Sequence, residues 1–344
     1  MRLAIDIGGT FTDIVLENEH ELLTKKVLTS IAQPELAVIE GISDLLNENN
    51  INSSEIKMII HGTTLATNAI IERKGAKTCF ITTEGFRDVL DIGYESRFDQ
   101  YDILIEKTMS LVPRKHRYVI EERTDINGSQ IKPINTTQFK KLIEKIKSEN
   151  FESIGIGFLH SYANSENEKI LKEFIFNNLP GVEVSISSEV CPEIREYERF
   201  TTTVINAYIK PLMSNYLKKL EYELDEKGFN CPLLLMTSGG TLTNIASACN
   251  NPVRLVESGP AGGAILATSI ARDLGLNKVI SFDMGGTTAK ITIIENKKAI
   301  KAREFEVDRK ARFKKGSGFP LRIPVIEMVE IGAGGGSIAR VNKL

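Results

Sequence analysis

Asp6-Ile7-Gly8-Gly9-Thr10 near the N-terminus returns as Asp283-Met284-Gly285-Gly286-Thr287 in the second half of the chain. Each copy follows an apolar run, Leu3-Ala4-Ile5 or Val279-Ile280-Ser281-Phe282, and precedes another, Ile14-Val15-Leu16 or Ile291-Thr292-Ile293-Ile294. Both read as strand, tight turn, strand. A glycine pair lets the turn take angles closed to other residues and leaves backbone amides uncovered by side chains. Such amides cradle a phosphate, and the threonine adds a hydroxyl donor. The aspartate at the strand end can hold hydrated Mg2+ or orient a water. An ordinary hairpin turn would account for one copy; two matching copies point to a nucleoside triphosphate clamped between two similar lobes.

The 344 residues are enough for two domains, and 42% hydrophobic with 26% charged residues is ordinary globular composition. A net charge of −2 gives no global pull toward nucleic acid or an anionic membrane surface. No apolar run is long enough to span a bilayer. The chain opens on strand residues, so no signal peptide and a cytoplasmic location are expected. Cys79, Cys191, Cys231 and Cys249 lie far apart with no C-x-x-C pair, which predicts free thiols in a reducing compartment.

Strand and helix patterns alternate, as in an α/β protein. Strands are expected at 25–28, 57–60, 77–82, 154–158, 182–187 and 233–236, and helices at 34–46, 137–148, 165–177, from Tyr197 to Lys227, and from the stretch His61–Asn68 to about Arg73. Pro211 is expected to kink or divide that last helix. Residues 84–133 are irregular, charged and aromatic, and too long for a plain loop, so they read as a functional insertion. Seven Lys or Arg lie between Lys301 and Lys315, interleaved with Glu304, Glu306 and Asp308, and read as a solvated loop. Ile331-Gly332-Ala333-Gly334-Gly335-Gly336-Ser337 follows a strand; its glycines allow close approach of an adenosine, or serve as a hinge.

Asp6–Asp13 (DIGGTFTD), His61–Asn68 (HGTTLATN), Glu84–Asp88 (EGFRD), Phe158–Ala163 (FLHSYA), Ser188–Arg199 (SEVCPEIREYER), Ser258–Gly263 (SGPAGG) and Gly332–Ala339 (GAGGGSIA) occur in this order. With them the chain resembles the ATP-dependent hydantoinase/oxoprolinase proteins, in particular their hydantoinase A-type subunit. The resemblance implies two ribonuclease H-like lobes of actin-like ATPase type, 1–195 and 196–344. The second lobe is expected to be incomplete, because family members continue well past this point. It further implies ATP with Mg2+, a cyclic amide substrate such as hydantoin or 5-oxoproline, and a hydantoinase B-type partner subunit. A separately encoded C-terminal part is a further expected partner. Two alternatives stand beside this: a subunit of a ketone carboxylase, and a nucleotide-binding protein without turnover.

An amide resists attack because its nitrogen donates into the carbonyl; phosphorylating the amide oxygen removes that donation. Such a route needs Mg2+-ATP, donors to the moving phosphoryl group and a base. Asp6 and Asp283 are the expected metal-holding and catalytic carboxylates. Gly8, Gly9, Thr10, Thr12, Gly285, Gly286 and Thr287, with Gly334, Gly335 and Gly336, are the expected nucleotide contacts. Thr12 has the alternative of only stabilising its turn. His61, at a strand end, is a candidate acid or base, with a structural histidine as its alternative. The second hairpin carries Ala289-Lys290 where the first has Thr12-Asp13. Lys290 therefore either meets a phosphate or anionic substrate, or points to solvent.

Overall fold

The computed structural model describes residues 1–19, 21–30, 33–94, 97–285, 288–311, 314–338 and 340–341. The chain opens with β1 (Arg2–Ile7), β2 (Phe11–Glu17) and β3 (Leu22–Leu28), then α1 (Pro34–Glu48), β4 (Met58–Thr63), α2 (Leu65–Ile71) and β5 (Thr78–Thr83). Next come the short α3 (Val89–Ile92), β6 (Arg117–Ile120), β7 (Arg123–Thr124), β8 (Gln130–Lys132), α4 (Phe139–Glu149), β9 (Ser153–Gly157), α5 (Glu166–Asn178) and β10 (Glu183–Ile186). They are followed by α6 (Ser187–Val190), α7 (Glu196–Glu226), β11 (Leu233–Met236), β12 (Leu242–Asn244), α8 (Ile245–Asn250), α9 (Ser258–Asp273), β13 (Lys278–Met284) and β14 (Ala289–Glu295). Short strands close the order: β15 (Lys298–Ala299), β16 (Lys301–Ala302), β17 (Phe305–Val307), β18 (Phe319–Leu321), β19 (Val325–Ile326) and β20 (Val329–Ile331).

Six strands form the first sheet in the order β12-β11-β4-β1-β2-β3. The β1–β2–β3 meander is antiparallel, while β4 runs parallel to β1 and β11 parallel to β4. This is a ribonuclease H-like order, and β1 alternates apolar residues into the core: Leu3, Ile5 and Ile7 are buried. A second, wholly parallel sheet runs β10-β9-β5-β6. Its central strands β5 and β9 are buried along their whole length, as a parallel sheet covered on both faces requires. Helix α7 lies between the two sheets, packing on β9 and β10 and on α1, α2 and α8. Phe200 and Val204 face one core, while Ile205, Ile209, Met213 and Leu217 face the other.

Pro211 sits inside α7, which is one 31-residue helix and is not divided. Burial of its N-terminal two-thirds against both sheets holds the helix across the lost hydrogen bond. Strand β11, beyond residue 195, returns to β4, so the first sheet draws strands from both sides of that position. The segment 84–133 is only partly an insertion, since β6 is an edge strand of the second sheet. The basic stretch 301–315 is not wholly a solvated loop either, because it contributes β16 and β17 and buries Glu306.

The last large sheet pairs β13 with β14 antiparallel, and β14 also pairs β15 and β20. Helix α9 packs against this sheet and against β4, joining it to the first. The architecture is thus α/β with lobes of actin-like type.

Candidate nucleotide-binding site

The first glycine turn closes by a hydrogen bond from the Gly8 amide to the Phe11 carbonyl, 2.9 Å. Thr29 braces it from β3's end. Its amide donates to the Thr10 carbonyl at 3.0 Å, and its hydroxyl donates to the Gly8 carbonyl at 3.0 Å. Because that proton is committed, the Thr12 hydroxyl is the donor in the 3.0 Å contact between Thr12 and Thr29. Thr12 is fully buried. Its hydroxyl therefore stabilises the turn and is not presented to a ligand. The amides of Gly9 and Thr10 meet no acceptor among the described residues, and both residues are exposed. Two uncommitted amides in a glycine turn are what an anion-binding concavity offers.

His61-Gly62-Thr63-Thr64 wraps this turn from the neighbouring strand. The Thr64 amide and hydroxyl both donate to the Ile7 carbonyl, each at 3.1 Å. Gly62 sits opposite Asp6 in the β1–β4 register. A β-carbon at Gly62 would lie 3.0 Å from Asp6 Oδ1, and one at Gly259, in the first turn of α9, 3.2 Å from the same oxygen. Two glycines thus make the space in which the Asp6 carboxylate stands. Helix α9 is pinned there by Ser258, whose hydroxyl donates to the Thr63 carbonyl at 3.1 Å.

Asp6 is open to solvent yet closely surrounded by protein, the situation of a cleft residue. Its pKa is raised by desolvation, then by the negative charges of Asp13 and Asp283, against a smaller opposing pull from Lys26. Asp283 belongs to the second hairpin, where it pairs in register with Lys290. The two repeated motifs therefore bring their aspartates into each other's electrostatic field, which the sequence pattern alone only suggested. Gly334 to Gly336 join them: the Gly335 amide donates to the Gly285 carbonyl at 3.1 Å, and the Gly334 amide to Ser337 Oγ at 3.0 Å. Open space lies where side chains at Gly335 and Gly336 would stand. Gly286 and Thr287 lie outside the described residues.

His61 does not share this cleft. Its ring is fully buried, with Nδ1 3.4 Å from the Ile5 carbonyl and Nε2 2.8 Å from the Tyr216 hydroxyl. Burial pushes its pKa down to about 4. A neutral ring with both nitrogens engaged and no solvent contact is a core brace, and the expected acid–base role has no support in this geometry. Lys290 resolves to neither of its expected readings. It forms an ion pair with Glu257, the residue preceding α9, and both side chains are largely buried. Glu257 holds a left-handed conformation, φ 63°, and its amide donates to Thr67 Oγ1 at 3.0 Å.

No group of three or more His, Cys, Asp or Glu stands at metal-ligand spacing among the described residues. Asp6 and Asp283 could not make a closed protein cage. They do fit a hydrated Mg2+ that takes its remaining oxygens from water and phosphate, the usual manner of that ion. Gly62, Gly259, Thr29 and Glu257 received no role from the sequence. The His61–Asn68 and Ser258–Gly263 motifs held the signal: two glycines facing a carboxylate need a partner strand to give them meaning.

Residues 2–179 match the family described as hydantoinase/oxoprolinase N-terminal region, and residues 199–344 match that described as hydantoinase/oxoprolinase. An uncharacterised protein of Methanocaldococcus jannaschii is 44% identical over 99% of this chain and 51% of its own length. Caprolactamase subunit alpha of Pseudomonas jessenii is 31% identical over 99% of this chain and 49% of its own. The crystal structure of the ATP-dependent caprolactamase from that organism superimposes with a TM-score of 0.85 at 29% identity, covering 99% of this chain and 49% of the other. The chain spans about half the length of these relatives.

Proposed function

The chain belongs to the hydantoinase/oxoprolinase family, and on that premise we propose that it binds Mg2+-ATP between its two glycine hairpins and serves ATP-dependent hydrolysis of a cyclic amide. One observation supports this most: Asp6 of the first Asp-x-Gly-Gly-Thr motif stands against the first turn of α9 and is subject to the negative charge of Asp283 from the second. The Gly9 and Thr10 amides would receive phosphate oxygens, and Asp6 and Asp283 would hold the hydrated ion. Bound there, Mg2+-ATP supplies a phosphoryl group that makes an amide carbonyl open to water. The protein's part is to orient the nucleotide and neutralise charge without rearranging at the moment of transfer. The alpha-subunit name of the caprolactamase relative supports action within a hetero-oligomer; the partner in this reading is a hydantoinase B-type subunit, and the setting cytoplasmic.

Titration calorimetry with Mg2+-ATP tests the nucleotide site. Thr10→Val should weaken binding by about 1.5–3 kcal/mol, the worth of a hydrogen bond to a charged group. ATP turnover with hydantoin, caprolactam and 5-oxoproline, with the partner subunit present, tests the reaction. No Mg2+-ATP binding by the wild-type chain would refute the proposal.

A further inference from the structure

Lys290 of β14 stands between two acids of its own sheet, opposite Asp283 on β13 and opposite Glu330 on β20. Residues directly opposite in an antiparallel pair put their side chains on the same face, within reach of a lysine's four-carbon stem. Both of these acids are exposed. The Lys290 ammonium takes neither. It pairs instead with Glu257, on the turn before α9, and the two side chains are only 15% and 11% exposed. Among the described residues the Asp283 carboxylate has neither a hydrogen-bond donor nor an ion-pair partner. The first hairpin has no such competition, since it sets Asp13, not a cation, opposite Asp6.

Glu257 is held in place to keep that grip. Its backbone is left-handed, φ 63° and ψ 28°, which a residue other than glycine keeps only where its surroundings fix it. The first sheet and α2 fix it here. The Glu257 amide donates to Thr67 Oγ1 at 3.0 Å, and the next residue, Ser258, donates its hydroxyl to the Thr63 carbonyl at 3.1 Å. Gly259 then stands against Asp6. Three consecutive residues therefore tie Lys290 to the wall of the cleft that holds Asp6. An ammonium seated on Asp283 would occupy the oxygens that a hydrated Mg2+ needs, and would repel the ion besides.

We propose that Glu257 is a positioning residue that draws Lys290 off Asp283 and so keeps that carboxylate free for the metal of a bound nucleotide. The proposal rests on the Mg2+-ATP reading above and adds a control on the second of its two carboxylates. The readout is the affinity gained from the metal: Kd for ATP in EDTA divided by Kd for ATP in saturating Mg2+, from calorimetry on the full chain. Glu257→Gln releases the ammonium to Asp283 and should cut that ratio about ten-fold, the order of one contact to a charged group. The cut should come from weaker Mg2+-ATP binding, with metal-free ATP bound no less tightly. Lys290→Met removes the competitor and should keep the wild-type ratio or exceed it, although it unfolds more easily. Glu257→Gln with Lys290→Met should keep the wild-type ratio too, and it decides the matter where Lys290→Met alone is too unstable to titrate. A pair with a structural role alone would lower both ATP affinities together, in step with stability. Such a parallel fall, an unchanged ratio in Glu257→Gln, or a ratio cut as deeply in Lys290→Met or the double variant would overturn the assignment. Failure of the nucleotide reading looks different: the wild-type chain itself shows no Mg2+-ATP binding, and this proposal falls with it.

Discussion

The Tyr216 hydroxyl of α7 lies 2.8 Å from Nε2 of His61 on β4, and this bond fixes the tautomer of a wholly buried ring. A carbonyl can only accept, so Nδ1 carries the proton toward Ile5 and Nε2 accepts from Tyr216. The long helix is thereby tied to the centre of the first sheet.

Acid sensitivity follows from this ring. Its folded pKa of about 4 lies below the ordinary 6.5, so the unfolded chain binds the proton first. Stability from His61 is fully present above pH 6.5 and is lost as pH falls toward 4, on the order of 3 kcal/mol at the limit. Urea midpoints measured across that window should fall in the wild type and fall less in His61→Gln. Tyr216→Phe should cost about 1–3 kcal/mol at pH 7 by stranding Nε2.

Asp6 predicts a trade of stability against function. Its pKa is raised by desolvation and by Asp13 and Asp283, so ionisation is unfavourable in the fold. Folded protein holds this proton more tightly, so Asp6 lowers stability as pH rises from 3.8 through its raised value. Asp6→Asn should therefore raise the melting temperature slightly at pH 7. The gain should stay under about 1 kcal/mol, since the side chain is solvent-open and screened. ATP turnover should fall steeply in the same variant, and an unchanged turnover would remove Asp6 from the proposed site.

Lys290 and Glu257 make a pair whose halves depend on each other. Lys290→Met leaves Glu257 nearly buried without its counter-charge and should destabilise by about 2–3 kcal/mol. Glu257→Gln combined with Lys290→Met should recover most of that loss in denaturant unfolding. Simple additivity of the two single effects would show that the pair is not coupled.

Ile280 and Phe282 on β13, Ile293 on β14 and Val329 on β20 are all exposed on one face of their sheet. A contiguous apolar face of this kind invites association. Sedimentation should show the chain self-associating, and Ile280→Lys with Phe282→Ser should shift it toward monomer without lowering its melting temperature by more than about 1 kcal/mol equivalent.

The sequence by itself determined the hairpins, the α/β alternation and the family. These are local facts: glycine pairs between alternating apolar runs allow few conformations, and the ordered motifs carry the resemblance. It also placed the aspartates at strand ends. Only the tertiary structure decided which of these residues meet. Thr12 and His61 looked available by position, yet the returning β3 end and α7 consume their polar atoms, and a partner 155 residues away in sequence is invisible to pattern. Lys290 could be read as bound to an anion or as solvated until the turn before α9 brought Glu257 to it. The first sheet takes in β11 from beyond residue 195 because β11 finds its hydrogen bonds on β4, a long-range pairing set by where α7 delivers the chain. Local chemistry chose the turns, and packing of distant segments chose which of their groups remain free to act.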